Sequence, residues 1–411
     1  MDRLWYGRLV ILGLILILIN GCLLMDKETR LRHKAKRIHR RVLTIDTHTD
    51  TPLQLVRYNN DLGVRGDAHA LKGGQLDFIR MQEGGLDATF FAVFMGQGER
   101  TPQGNNRAYS KALAIFDAIY KAVGRHPQLA EVALRSDDAV RLEKAGKRAI
   151  YIGIENGYPI GTDLSNVKSF YDLGARYITL CHTKNNDICD SSTDTTEHDG
   201  LSDFGCQVVR EMNRLGLMVD VSHISDKAFY DVLELTSVPV IASHSCARAR
   251  RDNPRNIDDD MLRALAKNGG VVQMCLLSYY IKGIEQSAAR DSAYKTFKEK
   301  WGEYDERTEE EKDLARIASH KLEQEFPEKL ATVSDAVDHI DHMVGIMGVD
   351  HVGIGTDFDG GGGLEDCYDV SELGNITLEL VRRGYSEEEI AKIWGGNLMR
   401  VFRAVESGAD K

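Results

Sequence analysis

Seven acidic and imidazole side chains in this chain lie just past the ends of short apolar runs. They are His48, Asp50, Glu155, His182, His223, His244 and Asp357. Imidazoles and carboxylates bind divalent cations, and they also transfer protons in hydrolytic reactions. Nothing in folding requires titratable residues at so many equivalent positions. The pattern therefore indicates the site of a metal-dependent hydrolase.

The apolar runs themselves predict eight β-strands with helical segments between them. The strands are Val42–Ile45, Ala88–Met95, Arg148–Ile154, Tyr177–Leu180, Met218–Val221, Val238–Ala242, Gly270–Leu276 and His351–Gly355. Apolar residues at helical spacing predict helices at Arg107–Arg125, Asp203–Leu215, Asp226–Leu235, Asp258–Asn268 and Ser334–Met347. This alternation predicts an α/β fold, a (β/α)8 TIM-like barrel, whose active site lies at the C-terminal strand ends.

Two further segments must be placed around this barrel. The basic residues 25–41 are predicted to form a first helix against the bottom of the barrel, the alternative being a basic stretch near anionic lipid. The long, charged segment Lys282–Leu330 predicts a solvated helical insertion before the last strand. Its functional alternative is a lid, or a contact between two copies in a homodimer. Residues 23–411 are expected to form one catalytic domain.

The candidate metal ligands divide into two groups that share one carboxylate. His48 and Asp50 are two residues apart in extended backbone, so their side chains leave the same face of the strand. His223 and His244 follow consecutive strands, which lie about 4.8 Å apart in a sheet. Glu155 can bridge two ions because a carboxylate has two oxygens. We therefore expect one ion at His48, Asp50 and Glu155, and a second at Glu155, His223 and His244.

The ligand chemistry favours two zinc ions per chain, since imidazole and carboxylate ligands without thiolates suit Zn²⁺. Two such ions make a nearby water acidic enough to attack a carbonyl near neutral pH. Asp357 is the candidate acid and base that moves the proton from this water to the leaving group. Asp359 is its rival at the same spacing. The adjacent run Gly360–Gly363 has no following Lys-Ser/Thr, so a phosphate loop is not predicted.

The N-terminus resembles an export signal. Arg3 and Arg8 precede an apolar run from Leu9 to Ile19, and Asn20-Gly21-Cys22 follows. A basic start and a short apolar run are typical of a secretory signal, and a small residue before a cysteine resembles a bacterial lipoprotein signal. We expect residues 1–22 to be this signal and Cys22 to carry the lipid, which makes the protein an exported, membrane-tethered lipoprotein. An uncleaved signal-anchor helix is the alternative.

Charge and cysteine content exclude other classes of protein. The net charge of −11 argues against a nucleic-acid partner, which is held by a basic surface. The seven cysteines are scattered, with no zinc-finger or redox spacing, so no disulfide framework is predicted.

Taken together in this order, the motifs resemble the renal (membrane) dipeptidase family of amidohydrolase-like metal barrels. The similarity covers about Val42 to Phe402 and includes Ile45-Asp46-Thr47-His48-Thr49-Asp50, Gly153-Ile154-Glu155-Asn156-Gly157, Asp220-Val221-Ser222-His223, Ser243-His244-Ser245 and Gly355-Thr356-Asp357-Phe358-Asp359-Gly360. The end of the chain, Gly395 to Phe402, is also similar. The segment 273–277 departs from the family because it lacks the asparagine-aromatic pattern, and the insertion 282–330 is large.

The resemblance implies a binuclear zinc dipeptidase in which Glu155 bridges the ions. It also implies that His182 binds the substrate and stabilises the oxyanion, and that Arg255 receives the C-terminal carboxylate of the dipeptide. These roles are chemically sound, because an oxyanion needs a positioned donor and guanidinium binds carboxylate in a fork. The family commonly tolerates a D-residue at the C-terminal position of the substrate.

Two other functions stay open on the sequence. A lactonase or deaminase of the amidohydrolase type would use the same scaffold, although Arg255 and the absence of a bridging lysine favour the dipeptidase. A non-catalytic peptide-binding lipoprotein would be expected to have lost ligands, whereas this chain has the full set.

Overall fold

The structure is a computed structural model, and it describes residues 26–283, 287–302 and 307–409. The predicted signal segment 1–22 and the lipidation residue Cys22 lie outside the described residues. Among the helices of the described ranges, none combines the length and the apolar character that a membrane crossing requires.

One parallel sheet curls into the barrel. Its strands are β1 (Ile45–Thr49), β2 (Ala88–Phe94), β3 (Ala130–Val132), β4 (Arg148–Glu155), β5 (Ala175–Thr179), β6 (Met218–Asp220), β7 (Ile241–Ser245), β8 (Val271–Met274) and β9 (Val352–Ile354). Eight of them follow one another in the order β1-β2-β4-β5-β6-β7-β8-β9, and β3 pairs only with β4. The amide of Asp50 donates to the carbonyl of Phe358 at 2.7 Å, which brings the chain after β9 back to β1. The predicted (β/α)8 TIM-like fold is confirmed.

Some strand boundaries differ from the prediction. The first strand was predicted at Val42–Ile45, but β1 begins where that run ends and extends to Thr49. Four of its five residues are polar, yet all five are buried because the barrel surrounds them on both faces. The sixth predicted strand is displaced toward Ser245 for the same reason. The three-residue strand β3 was not predicted, since it is too short to show a period.

Helices cover the outside of the barrel and connect its strands. They are α1 (Lys27–His39), α2 (Thr51–Tyr58), α3 (Phe78–Gly84), α4 (Pro102–Gly124), α5 (Asp138–Lys144), α6 (Ser165–Asp172), α7 (Asp203–Leu215), α8 (Asp226–Leu235), α9 (Asp259–Asn268), α10 (Ser278–Ile281), α11 (Ala288–Trp301), α12 (Glu309–Glu325), α13 (Val333–Met347), α14 (Gly374–Arg382), α15 (Glu387–Ala391) and α16 (Asn397–Gly408). The five helices predicted from apolar spacing are all present. Capping explains their ends: Ser225 accepts from the amide of Ala228, and Gly269 ends α9 with a positive φ of 84°.

The C-terminal helix α16 closes the barrel at the end opposite the candidate site. Phe402, together with Leu398 and Val405, packs on the first residues of several strands. The ring of Phe402 meets that of Tyr151 edge-on at 5.6 Å. This placement explains why the last motif of the chain is apolar at helical spacing.

The segment between β8 and β9 contains the helical insertion that the sequence predicts. Its two long helices, α11 and α12, pack against each other, and α13 then leads into β9. Residues 284–286 and 303–306 of the insertion lie outside the described ranges. No residue of α11 is buried, which fits a solvated addition to the barrel.

Candidate metal centre

The seven chemically active side chains meet at the C-terminal end of the barrel. Glu155 is the last residue of β4, and His48 and His244 lie one residue before the ends of their strands, which corrects the expectation that they follow those ends. His182, His223 and Asp357 come three residues after β5, β6 and β9. Parallel strands place all these positions at one rim.

Two of these residues have left-handed backbone. His223 has a φ of 71° and Asp357 a φ of 62°, which non-glycine residues adopt infrequently. Such conformations are costly and concentrate at functional sites. Here they turn the chain sharply after a strand, so that the side chain returns over the barrel mouth.

Among the described residues, three sets of side chains could each hold a metal ion, because within each set the potential ligand atoms lie within 4.8 Å of one another. The first set is His48, Asp50 and Glu155, and the second is Glu155, His223 and His244, which is the partition that the sequence predicts. A third set joins Asp357 to His48 and His244.

Glu155 lies between the two predicted groups and directs a different oxygen at each. Its Oε2 is 3.5 Å from Nε2 of His48. Its Oε1 is 3.1 Å from Nε2 of His223 and 3.5 Å from Nε2 of His244. Burial alone would raise the pKa of Glu155, but the surrounding imidazoles, His48 foremost, hold it well below its ordinary value. The ionised carboxylate therefore has the placement of a bridge.

The donor set fits a cation. Nε2 of His48 and Oδ1 of Asp50 are buried without a hydrogen-bond partner, although buried polar atoms are normally satisfied. Burial lowers the pKa of His223 and of His244 well below the ordinary value, so both imidazoles are neutral and can ligate. Burial, followed by the charge of Glu155, raises the pKa of Asp50 to about 6. A cation would relieve this crowding of carboxylates and satisfy the unpartnered atoms.

His48 is oriented by a buried tyrosine that the motif analysis did not single out. Its Nδ1 lies 2.8 Å from the hydroxyl of Tyr177, and both residues are fully buried. This bond leaves Nε2 facing the site. Tyr177 has room because Gly153 lies beside it: a Cβ on Gly153 would come within 2.0 Å of the phenol ring.

Two fully buried aspartates connect the strand ends that carry the histidines. Asp220 accepts from the hydroxyl of Ser243 at 2.6 Å, and that hydroxyl lies 2.9 Å from Nδ1 of His244. Asp46 accepts from the amide of His48 and from the hydroxyl of Thr356. A fully buried carboxylate is costly unless it is hydrogen-bonded. That cost is the sequence signal by which these two residues could have been found.

The structure separates Asp357 from its rival Asp359. The carboxylate of Asp359 accepts from the hydroxyl of Thr51 at 2.8 Å and from the amide of Gln75 at 2.7 Å, so it fixes the start of α2 and the chain just before α3. Asp357 instead faces the histidines, and burial raises its pKa well above the ordinary value. The chain passes so close to these carboxylates that a Cβ on Gly360 would lie 2.1 Å from Asp50 and 2.4 Å from Asp357.

The structure also distinguishes Arg255 from the other arginines of its loop. Its Nη1 donates to the hydroxyl of Ser245 at 2.8 Å and its Nη2 to the carbonyl of His244 at 2.7 Å. Its Nε is buried without a partner. The ring of Tyr280, which the sequence analysis did not single out, lies 5.7 Å from the guanidinium. By contrast, Arg248 is paired with Asp226, and Arg250 and Arg251 contact other surface groups.

His182 lies at the open side of the cluster. Its Nε2 is 3.7 Å from Oε1 of Glu155, and its side chain retains 21% exposure. Its ring packs edge-on against Phe94 at 4.8 Å and lies 4.3 Å from the ring of His223. Burial lowers its pKa, so the imidazole is neutral and offers one N–H donor. A donor at this position can reach a molecule bound at the metal ligands.

A barrel of this topology, with imidazoles and carboxylates gathered at its C-terminal rim, defines a metal-dependent hydrolase. Residues 32–411 match the model of the membrane dipeptidase family, peptidase family M19. The chain belongs to this family and is a metallopeptidase that hydrolyses peptide bonds. The resemblance that the motifs indicate is thereby confirmed.

Individual relatives match over most of the chain. Dipeptidase 3 of Rattus norvegicus is 33% identical over 393 residues, which cover 93% of this chain and 69% of that protein. Dipeptidase tcpJ of Claviceps purpurea is 31% identical over 372 residues, with 89% and 77% covered. The crystal structure of the probable dipeptidase PvdM from Pseudomonas aeruginosa has a TM-score of 0.79 at 30% identity, covering 92% of this chain and 99% of the other.

Proposed function

We propose that this protein is an exported, membrane-tethered dipeptidase that binds two zinc ions and cleaves dipeptides, including those with a C-terminal D-residue. The observation that carries the proposal is the position of Glu155, whose two oxygens face different histidines at 3.1–3.5 Å. A carboxylate between two such groups is suited to bridge two cations. His48 and Asp50 would complete one site, and His223 and His244 the other.

Zinc is favoured over harder cations because three of the five ligands are imidazoles. The thiol of Cys275 lies 3.8 Å from Oδ2 of Asp357 and belongs to none of the ligand sets found among the described residues. When bound, the two ions supply an activated water and polarise the scissile carbonyl.

The side chains around this centre then have separate tasks. Asp357 moves a proton on its carboxylate from the nucleophile to the departing amine. His182 donates a hydrogen bond to the oxygen that becomes negative as the carbonyl is attacked. Asp357 is buried beside His48 and His244, whereas His182 keeps partial exposure on the side where a small substrate would enter.

Arg255 would bind the free C-terminal carboxylate of the substrate and so fix its C-terminal residue. Its guanidinium is fixed to Ser245 and to the carbonyl of His244, so its distance from the metal ligands is set by β7. The N–H groups that remain, Nε included, are available to a free carboxylate. A dipeptide fixed by its carboxylate at Arg255 and by its scissile carbonyl at the ions would have one residue between these two contacts. These two contacts do not select the configuration at the C-terminal Cα, so we expect D-residues to be accepted there.

Export and tethering are supported by the sequence of residues 1–22, with Cys22 as the lipidated residue. The enzyme would then act outside the cytoplasm, on small peptides at the membrane surface.

Metal content and hydrolysis of L-L and L-D dipeptides, with and without a chelator, test the proposal together. We expect about two zinc ions per chain and cleavage that the chelator abolishes. Bound metal without dipeptide cleavage would indicate another amidohydrolase substrate, such as a lactone. A chain without metal would refute the proposed mechanism.

The role of Arg255 has its own test. Arg255→Met should lower kcat/KM for dipeptides by about 10- to 100-fold, because a charged hydrogen bond to the substrate is lost. Arg250→Met is the matched control, since Arg250 is in the same loop but pairs with Asp338 at the surface. The native enzyme should cleave a dipeptide amide more slowly than the free dipeptide, because the amide lacks the carboxylate. Arg255→Met should cleave the two at similar rates. If both substitutions lower kcat/KM equally, the assignment of Arg255 to the binding site is wrong.

A further inference from the structure

Helix α1 concentrates positive charge in an otherwise acidic protein. Residues 26–41 contain eight basic residues, which are Lys27, Arg30, Arg32, Lys34, Lys36, Arg37, Arg40 and Arg41, against Asp26 and Glu28. The whole chain carries a net charge of −11. The positive charge is thus segregated at one place on the protein.

The orientation of α1 is fixed by its buried face. Ala35 and Ile38 pack into the core, and His39 is held at both ring nitrogens. Its Nδ1 lies 2.7 Å from the hydroxyl of Thr377, and its Nε2 lies 2.7 Å from the carbonyl of Gly84. The opposite side of the helix must therefore point outward, and all eight basic side chains are exposed.

Few of these charges are neutralised by the protein itself. Arg32 pairs with Glu28, and Arg41 pairs with Glu387. Within the described ranges, the remaining six basic residues form no ion pair. They also repel one another, because Arg30 and Lys34, and likewise Lys36 and Arg40, are four residues apart on the helix. An anionic partner would remove this repulsion.

We propose that the exposed basic face of α1 docks on an anionic phospholipid surface. The proposal builds on the tether at Cys22, which is part of the proposed function. Lys27 is five positions after Cys22, and an extended chain over five positions spans at most about 18 Å. A helix tethered so closely is near the lipid headgroups, where the surface potential attracts basic residues over roughly 8–10 Å.

Docking through α1 would also orient the enzyme. His39 contacts Gly84, which precedes β2 and so lies toward the N-terminal end of the barrel. The metal ligands are at the C-terminal ends of the strands. The candidate site would therefore face away from the membrane and stay open to peptides.

The test uses the full chain with neutral phosphatidylcholine vesicles and with vesicles that also contain phosphatidylglycerol. Flotation with neutral vesicles reports the tether alone. The reactivity of Lys34 and Lys36 toward an amine reagent, read by mass spectrometry, reports docking. We expect at least about fivefold protection of both lysines on the anionic vesicles only, lost at high salt. Lys184, an exposed residue that follows β5 at the opposite end of the barrel, should stay unprotected as an internal control.

A variant with Arg30→Gln, Arg37→Gln and Arg40→Gln should lose this protection, since each removed charge weakens attraction to the lipid about fivefold. The matched control is Lys227→Gln, Lys295→Gln and Lys300→Gln, which removes the same charge from exposed positions of helices that follow β6 and β8 and should keep the protection.

Each outcome separates docking from tethering. Flotation with both kinds of vesicle but no protection would overturn docking and leave the tether. Flotation and protection with anionic vesicles alone would support docking through α1 and contradict the tether at Cys22. Flotation with neither, or protection in detergent without vesicles, would overturn the lipid surface as the partner, and the latter would point to a second copy of the chain.

Discussion

Replacing Tyr177 with phenylalanine tests how the centre holds its metal. The substitution removes the hydroxyl that lies 2.8 Å from Nδ1 of His48 while keeping the buried ring. The N–H of His48 would be left without a partner in a fully buried position, which costs about 1–3 kcal/mol. That cost would appear in metal binding, because the imidazole is free to turn away from the ion. We expect the metal Kd to rise by about 10- to 100-fold.

Tyr151→Phe is the matched control. Tyr151 is also a fully buried tyrosine of a barrel strand, but its hydroxyl donates to the carbonyl of Arg135 and accepts from the amide of Ala139, away from the ligands. It should lower the stability of the folded protein and leave the metal Kd unchanged.

Two measurements separate the effects. Titration against a competing chelator gives the metal Kd, and thermal unfolding of the metal-free protein gives the change in stability. If Tyr177→Phe lowers the Tm as the control does but changes the metal Kd by less than about twofold, His48 is not oriented by Tyr177, and the argument from this bond fails.

Further predictions concern single positions of the site and one buried histidine. Glu155→Gln should lower both metal content and rate, whereas Asp357→Asn should keep the metal and lower kcat by about 10²- to 10⁴-fold; an empty site in Asp357→Asn would make that residue a ligand. Gly360→Ala should weaken metal binding by about 1–3 kcal/mol because its Cβ would overlap the carboxylate oxygens of the site, whereas Gly345→Ala, which meets no atom within 4 Å, should not. Burial lowers the pKa of His339 to about 4 from 6.5, so the unfolded chain binds the proton more readily, and stability should fall by about 3 kcal/mol as the pH drops from 6.5 to 4. Thermal unfolding across this range should show a flatter decline for His339→Gln, and an unchanged decline would contradict the assignment.

The candidate ligands were accessible to sequence analysis because each constraint on them is local. A titratable residue at the end of a buried strand is unusual, and parallel strands bring such residues to one rim. His223 and His244 could therefore be paired from strand order alone, and Glu155 assigned between them. Their roles as metal ligands stay a prediction until metal content is measured.

Other parts of the site depend on contacts between residues far apart in the chain. Tyr177 orients His48 although the two residues are 129 positions apart, and Tyr177 fits only because Gly153 has no Cβ. Sequence spacing carries no signal for such a contact. Tyr280 beside Arg255 was missed for the same reason.

The sequence by itself determined the barrel, the family and the set of side chains that can hold metal. These follow from periodicity and from polar residues placed where burial makes them costly. Only the tertiary structure decided which of Asp357 and Asp359 faces the ligands and which arginine lies beside them. The two aspartates are only two residues apart, so their environments differ only once Thr51 of α2 and Gln75, both distant in the chain, satisfy Asp359. The physical reason is that a carboxylate's role is set by the partners that surround it, and those partners are assembled by folding.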